Sequence, residues 1–124
     1  MDNGKIVFVY GTLKRGHPMG EWLNGNATFL GTGTIQGSLY NLGAYPGWVK
    51  DNDLYTVRGE MFQVSCPKIM DQLDTYEGVS HGLYTKETTM CKVDGTDKVS
   101  AIVHVYQYAH EVDPKSIIAN GVWK

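Results

Sequence analysis

Lys5-Ile6-Val7-Phe8-Val9-Tyr10-Gly11-Thr12-Leu13-Lys14-Arg15-Gly16 reads as a β-strand that runs out into a glycine-bounded loop. Lys5 to Tyr10 is an apolar, β-branched run of strand length, and Gly11 ends it. A loop of this kind can expose consecutive backbone N–H groups, which hold carboxylates and oxyanions. Gly11 lets the backbone approach a ligand closely. Gly11 and Gly16 have the first spacing of a phosphate-binding P-loop, but His17-Pro18 stands where Lys-Ser/Thr is needed. The alternative is an ordinary turn with its basic residues facing water.

Outward from this stretch, four further strands are expected. Thr34 to Asn41 carries Ile35, Leu39 and Tyr40 between glycines. Leu54 to Val64 is longer, and Gly59 inside it predicts a bulge or bend. Tyr84 to Val93 ends at Asp94-Gly95, a hairpin signal, and Val99 to Tyr108 follows as its antiparallel partner. One helix is predicted from Ser65, read as N-cap, and Pro67 in the first turn. Ile69, Met70, Leu73 and Tyr76 share its apolar face, and Gly78 ends it, so Glu77 sits at its C-terminus. Met19 to Leu23 reads as a further short helical turn. Short strands, many glycine bends and one principal helix favour an α+β chain built on a small, closed or partly closed mixed β-barrel.

The 124 residues are expected to form a single domain, residues 1–124, with enough length to bury a core without disulfides. A formal net charge of −2 argues against nucleic-acid binding. No apolar run reaches membrane-spanning length, and Met1 to Lys5 carries no signal-peptide pattern, so a cytoplasmic address without membrane association is expected. Cys66 and Cys91 are then expected to stay reduced. His17, His81, His104 and His110 make no short-spaced pair, so a metal is not expected, although ligands from distant strands stay open. Monomer is the default state.

Glu77 is the candidate acid/base group. At a helix C-terminus it meets the negative end of the dipole, which disfavours ionisation, and a cavity would add desolvation in the same direction. Asp74, one turn earlier, is expected to add like-charge repulsion. A carboxylate tuned upward in this way is a proton shuttle near neutral pH. The alternative is a solvated glutamate at a fraying helix end.

In order along the chain, Val7 to Gly16, Gly37-Ser38-Leu39-Tyr40-Asn41-Leu42-Gly43 with Tyr45-Pro46-Gly47, Val57 to Val64, and Leu73-Asp74-Thr75-Tyr76-Glu77-Gly78-Val79 resemble blocks of one family. This is the γ-glutamylcyclotransferase-like superfamily, in its AIG2-like and γ-glutamylamine cyclotransferase branch. The resemblance implies a barrel with a cavity at its mouth. It implies that Tyr10, Gly11, Thr12 and Leu13 bind the γ-glutamyl moiety of a small-molecule substrate and that Glu77 is the general acid/base, and Tyr84 follows at the expected place. It further implies an intramolecular acyl transfer that releases 5-oxoproline and a free amine without a cofactor. Tyr84 and Tyr106 are expected to line the cavity, and the loops Gly43 to Asp53 and His81 to Leu83 to line its acceptor side, with Tyr45, Trp48 and Tyr55 as an apolar wall there. Gly121-Val122-Trp123 stands where the family often has Gly-Asp-Trp, which bears on how the C-terminus closes. A non-catalytic binding module of the same fold and a γ-glutamyl hydrolase are the rival readings.

Overall fold

The computed structural model describes residues 5–50, 55–95 and 100–123. Among these, seven strands alternate with two helices in the order β1 (Lys5–Val9), α1 (Pro18–Asn26), β2 (Thr28–Gln36), β3 (Ser38–Asn41), β4 (Pro46–Val49), β5 (Thr56–Val64), α2 (Pro67–Tyr76), β6 (Tyr84–Val93) and β7 (Ser100–Tyr108). The sheet order is β1-β5-β2-β6-β7-β4-β3, and β1 pairs back onto β7, so five strands close into a barrel with β4 and β3 as an extension.

Closure puts apolar residues on both faces of the strands. Along β1, Val7 and Val9 join one core cluster while Phe8, with Tyr10 just beyond, joins the other. The second cluster takes Phe8, Val57, Met61, Ile35, Cys91, Val103 and Val105 from all five barrel strands, so it is the barrel interior. The first adds Leu23 of α1 and Met70 and Leu73 of α2, so it lies between the barrel wall and the helices. Alternate residues on a strand point to opposite faces, so one unbroken apolar run serves both cores.

Several boundaries differ from expectation. The strand read over Thr34 to Asn41 is two: β2 begins six residues earlier and ends at Gln36, and Gly37 at φ 135° turns the chain into β3. Pro46–Val49 is a strand inside a segment read as loop. Gly59 is no bulge. It pairs in register with Gly33, and a side chain there would meet the Val9 carbonyl oxygen at 2.4 Å. The register shift falls instead on β2, between Phe29 and Gly31. The N-cap of α2 is Cys66 rather than Ser65, without a side-chain cap. The short turn at Met19 to Leu23 lengthens to a nine-residue helix, nearly the length of α2. β6 and β7 form the expected antiparallel pair, but Lys92 faces Ser100, so their connection exceeds a two-residue turn at Asp94-Gly95. Part of that connection, and Leu54 and Val99 of the expected strands, lie outside the described residues.

One feature of the topology makes the site. Both β1 and β4 lie parallel along the same edge of β7, with Val7 opposite His104 and Trp48 opposite Gln107. β1 therefore leaves this edge and β4 takes it over. At the changeover the Tyr10 hydroxyl donates to the Tyr106 carbonyl at 2.7 Å and accepts from the Trp48 amide at 3.0 Å. One side-chain oxygen thus ties the backbones of β7 and β4 together beside their Trp48–Gln107 pairing.

The C-terminal segment closes without an aspartate at Val122. The Gly121 carbonyl accepts from the Arg58 amide at 2.9 Å, Trp123 packs against the barrel core, and the Lys14 ammonium donates to the Trp123 carbonyl.

Candidate active site

A cavity of about 370 Å³ opens where β1 parts from β7. Tyr10, Gly11, Thr12 and Leu13 form one side, with Glu77, Tyr84 and Tyr106 also lining it. All six residues singled out from sequence, Tyr10, Gly11, Thr12, Leu13, Glu77 and Tyr84, therefore meet in one cavity.

Local chemistry explains each placement. α2 runs to Tyr76, and the Glu77 amide still donates to the Leu73 carbonyl at 2.9 Å. Gly78 then turns left-handed at φ 66°, a conformation nearly free of cost only for glycine. Its carbonyl accepts from the His81 and Leu83 amides at 3.0 and 3.1 Å. The helix end is therefore fixed to the start of β6, and Glu77 is held as the C-cap residue. On the opposite side, a side chain at Gly11 would meet the Pro46 ring at 2.7 Å, so glycine is what lets the loop lie against β4.

Burial raises the Glu77 carboxyl from its ordinary 4.5 to about 7. Asp74, expected to contribute by like charge, is otherwise engaged. Its carboxylate accepts from the Tyr106 hydroxyl at 2.7 Å and from the Lys86 ammonium at 3.0 Å. Among the described residues, none hydrogen-bonds the Glu77 carboxyl.

Three buried tyrosines surround the carboxyl. Tyr10 and Tyr84 are pushed up first by burial, and Glu77 adds its charge in both cases. Tyr106 is pushed up first by burial, then by its bond to Asp74, with Glu77 again contributing. All three stay protonated, so none can serve as the base. The Tyr84 hydroxyl donates to the Pro46 carbonyl at 2.7 Å, fixing β4 against β6. At the cavity mouth the Thr12 and Tyr76 hydroxyls lie 2.7 Å apart, a contact that nothing in the sequence signals.

Residues 7–124 match the sequence profile of the family described as gamma-glutamyl cyclotransferase, AIG2-like. The chain belongs to this family. The gamma-glutamylcyclotransferase family protein YtfP of Escherichia coli K12 is 33% identical over 120 residues, covering 94% of this chain and 94% of that protein. An AIG2-like protein from Mus musculus has the same fold, with a TM-score of 0.81 at 23% identity over 97% of this chain and 88% of its own. A protein from Pyrococcus horikoshii shares it too, with a TM-score of 0.69 at 21% identity over 96% and 89%.

Within this AIG2-like cyclotransferase fold, the expected apolar wall is only partly as read. Tyr45 lines the cavity, together with Ala44, Pro46 and Leu83. Trp48 is fully buried in the barrel interior, and Tyr55 is not among the lining residues. Cys91 is buried among barrel side chains, where desolvation pushes its thiol up to about 11, whereas Cys66 is exposed at the start of α2. Among the described residues, no three histidine, cysteine or acidic side chains group as metal ligands would, and no helix is long and apolar enough to cross a membrane.

Proposed function

We propose that this chain converts an L-γ-glutamyl amine or amide into 5-oxoproline and a free amine. The observation that carries this reading is a single carboxyl, Glu77, held near neutrality by burial in a cavity shared with the Tyr10–Leu13 loop. The substrate's own α-nitrogen is the nucleophile. It attacks the γ-carbonyl carbon, a five-membered ring closes, and the bond from that carbon to the leaving nitrogen breaks. No cofactor is needed for these steps. Ionised Glu77 takes one proton from the α-ammonium and gives it to the leaving nitrogen. The ring nitrogen then sheds its second proton to the same carboxylate, which passes it to the released amine and ends ionised. A side chain whose pKa lies close to the working pH suits both roles.

The loop supplies the rest. Backbone N–H groups after Tyr10 hold the α-carboxylate or the oxyanion that develops at the γ-carbonyl. The walls of Tyr84 and Tyr106 restrict the glutamyl chain to a curled shape. Well-oriented intramolecular reactions gain about 7–11 kcal/mol from such restriction. Glu77→Gln keeps the size of the side chain and removes the proton. It is expected to lower 5-oxoproline release from γ-glutamyl amines by about 10²-fold or more, read by mass spectrometry. Activity at the parental level would remove Glu77 from the mechanism, and free glutamate as product would identify a hydrolase.

A further inference from the structure

We propose, resting on the cyclotransferase reading above, that the leaving group is an uncharged apolar or aromatic amine rather than an amino acid. The cavity is graded from floor to mouth. Tyr10, Tyr84 and Tyr106 are buried, whereas Ala44 and Tyr76 are exposed at the rim. A glutamyl moiety held between the Tyr10–Leu13 loop and Glu77 directs its departing nitrogen outward. The substituent on that nitrogen then meets Ala44, Tyr45, Tyr76 and Leu83, an aliphatic and aromatic rim.

The two cations that follow the loop in sequence have partners away from the cavity. Lys14 reaches the Trp123 carbonyl, and the Arg15 guanidinium lies 3.7 Å over the Phe29 ring with Glu60 at 3.5 Å. Among the described lining residues the ionisable carboxyl is Glu77 and the others carry no formal charge at neutral pH. An amino-acid leaving group brings a carboxylate into this rim. There it would find no cation among the described lining residues and would face Glu77 at like charge. An aryl or alkyl group instead buries apolar surface against tyrosine and leucine faces.

The test is the kcat/KM for 5-oxoproline release from γ-L-glutamyl benzylamide, γ-L-glutamyl-L-alanine and the γ-glutamyl isopeptide of the lysine side chain. The benzylamide is expected to lead both amino-acid conjugates by about tenfold or more. Equal or better turnover of either conjugate would overturn the preference while leaving the cyclotransferase reading standing. No 5-oxoproline from any of the three would overturn both. Ala44→Lys places an ammonium at an exposed rim position outside the reacting groups. It is expected to raise γ-L-glutamyl-L-alanine relative to the benzylamide by about fivefold. An unchanged ratio would overturn the assignment of this rim to the leaving group.

Discussion

Replacing Glu77 by glutamine should stabilise the protein, and by an amount that grows with pH. The native carboxyl titrates at about 7 against an ordinary 4.5, because burial disfavours its ionised form. Between those values the folded chain holds a proton that the unfolded chain has released. The stability of the parent therefore falls as pH rises through this window and levels off above about 7. At about 1.36 kcal/mol for each pH unit, the span from 4.5 to about 7 comes to about 3 kcal/mol. Glutamine carries no charge at any of these values and escapes the loss. The difference in unfolding free energy between Glu77→Gln and the parent should thus rise by about 3 kcal/mol between pH 4 and pH 8. For a chain of this length that is a relative shift of about 10 °C in Tm. Urea titrations of both proteins across this range, with equal m-values, give the difference directly. Groups such as Asp94, lowered mainly by its hydrogen bond from Thr32, titrate in both proteins and cancel. A difference that stays constant from pH 4 to pH 8 would show that the carboxyl is not desolvated, and the proposed proton shuttle would lose its physical basis.

Two further outcomes follow from the same geometry. Tyr10→Phe removes the hydroxyl that joins the Tyr106 carbonyl to the Trp48 amide, so two buried hydrogen bonds are lost together. The expected cost is about 2–4 kcal/mol, and an unchanged urea midpoint would show that the two strands hold together without that bridge. The kcat/KM for a γ-glutamyl amine should rise with pH through about 7, since the ionised Glu77 must accept the α-ammonium proton. A limb near 4.5 in a stopped-time assay of 5-oxoproline would place a solvated carboxylate in that role.

The elements legible in sequence were those with strong local signals. Lys5 to Val9 has its apolar run and its terminating glycine, and α2 has Pro67 at one end and Gly78 at the other. β4 was hidden because Pro46-Gly47 looks like a turn and four residues show no period. Its partners are β3 and, along the edge that β1 leaves, β7, so tertiary pairing decides its state. The first half of β2 was hidden by two poor strand formers, Gly31 at φ 140° and Gly33, which Cys91 and Lys92 crowd. α1 contains Gly20 and Gly25, which weaken any helix signal. In the site, the position of Glu77 at a helix end was readable, and the blocks around it marked the family. That burial alone tunes it was not readable. Asp74 stands at helical spacing and looks like a repelling neighbour, but Lys86 and Tyr106, both from distant strands, occupy it.

The cavity and the closure of the barrel are consequences of one event, the exchange of β1 for β4 along β7. A barrel strand that stayed paired to its end would fill this space with its own ladder. Here β1 stops at Val9, and the chain turns away at Gly11 to make room for Pro46. The backbone groups of the departing loop are then released from the sheet and become available to a ligand. At the exchange the Tyr10 hydroxyl bonds both the Tyr106 carbonyl and the Trp48 amide, so one side chain ties β7 to β4. Tyr10 also lines the cavity that holds Glu77, and its phenol is pushed up first by burial, with the Glu77 charge adding to it. The residue that ties β7 to β4 is therefore also part of the wall around Glu77, which is why structure and site cannot be separated at Tyr10.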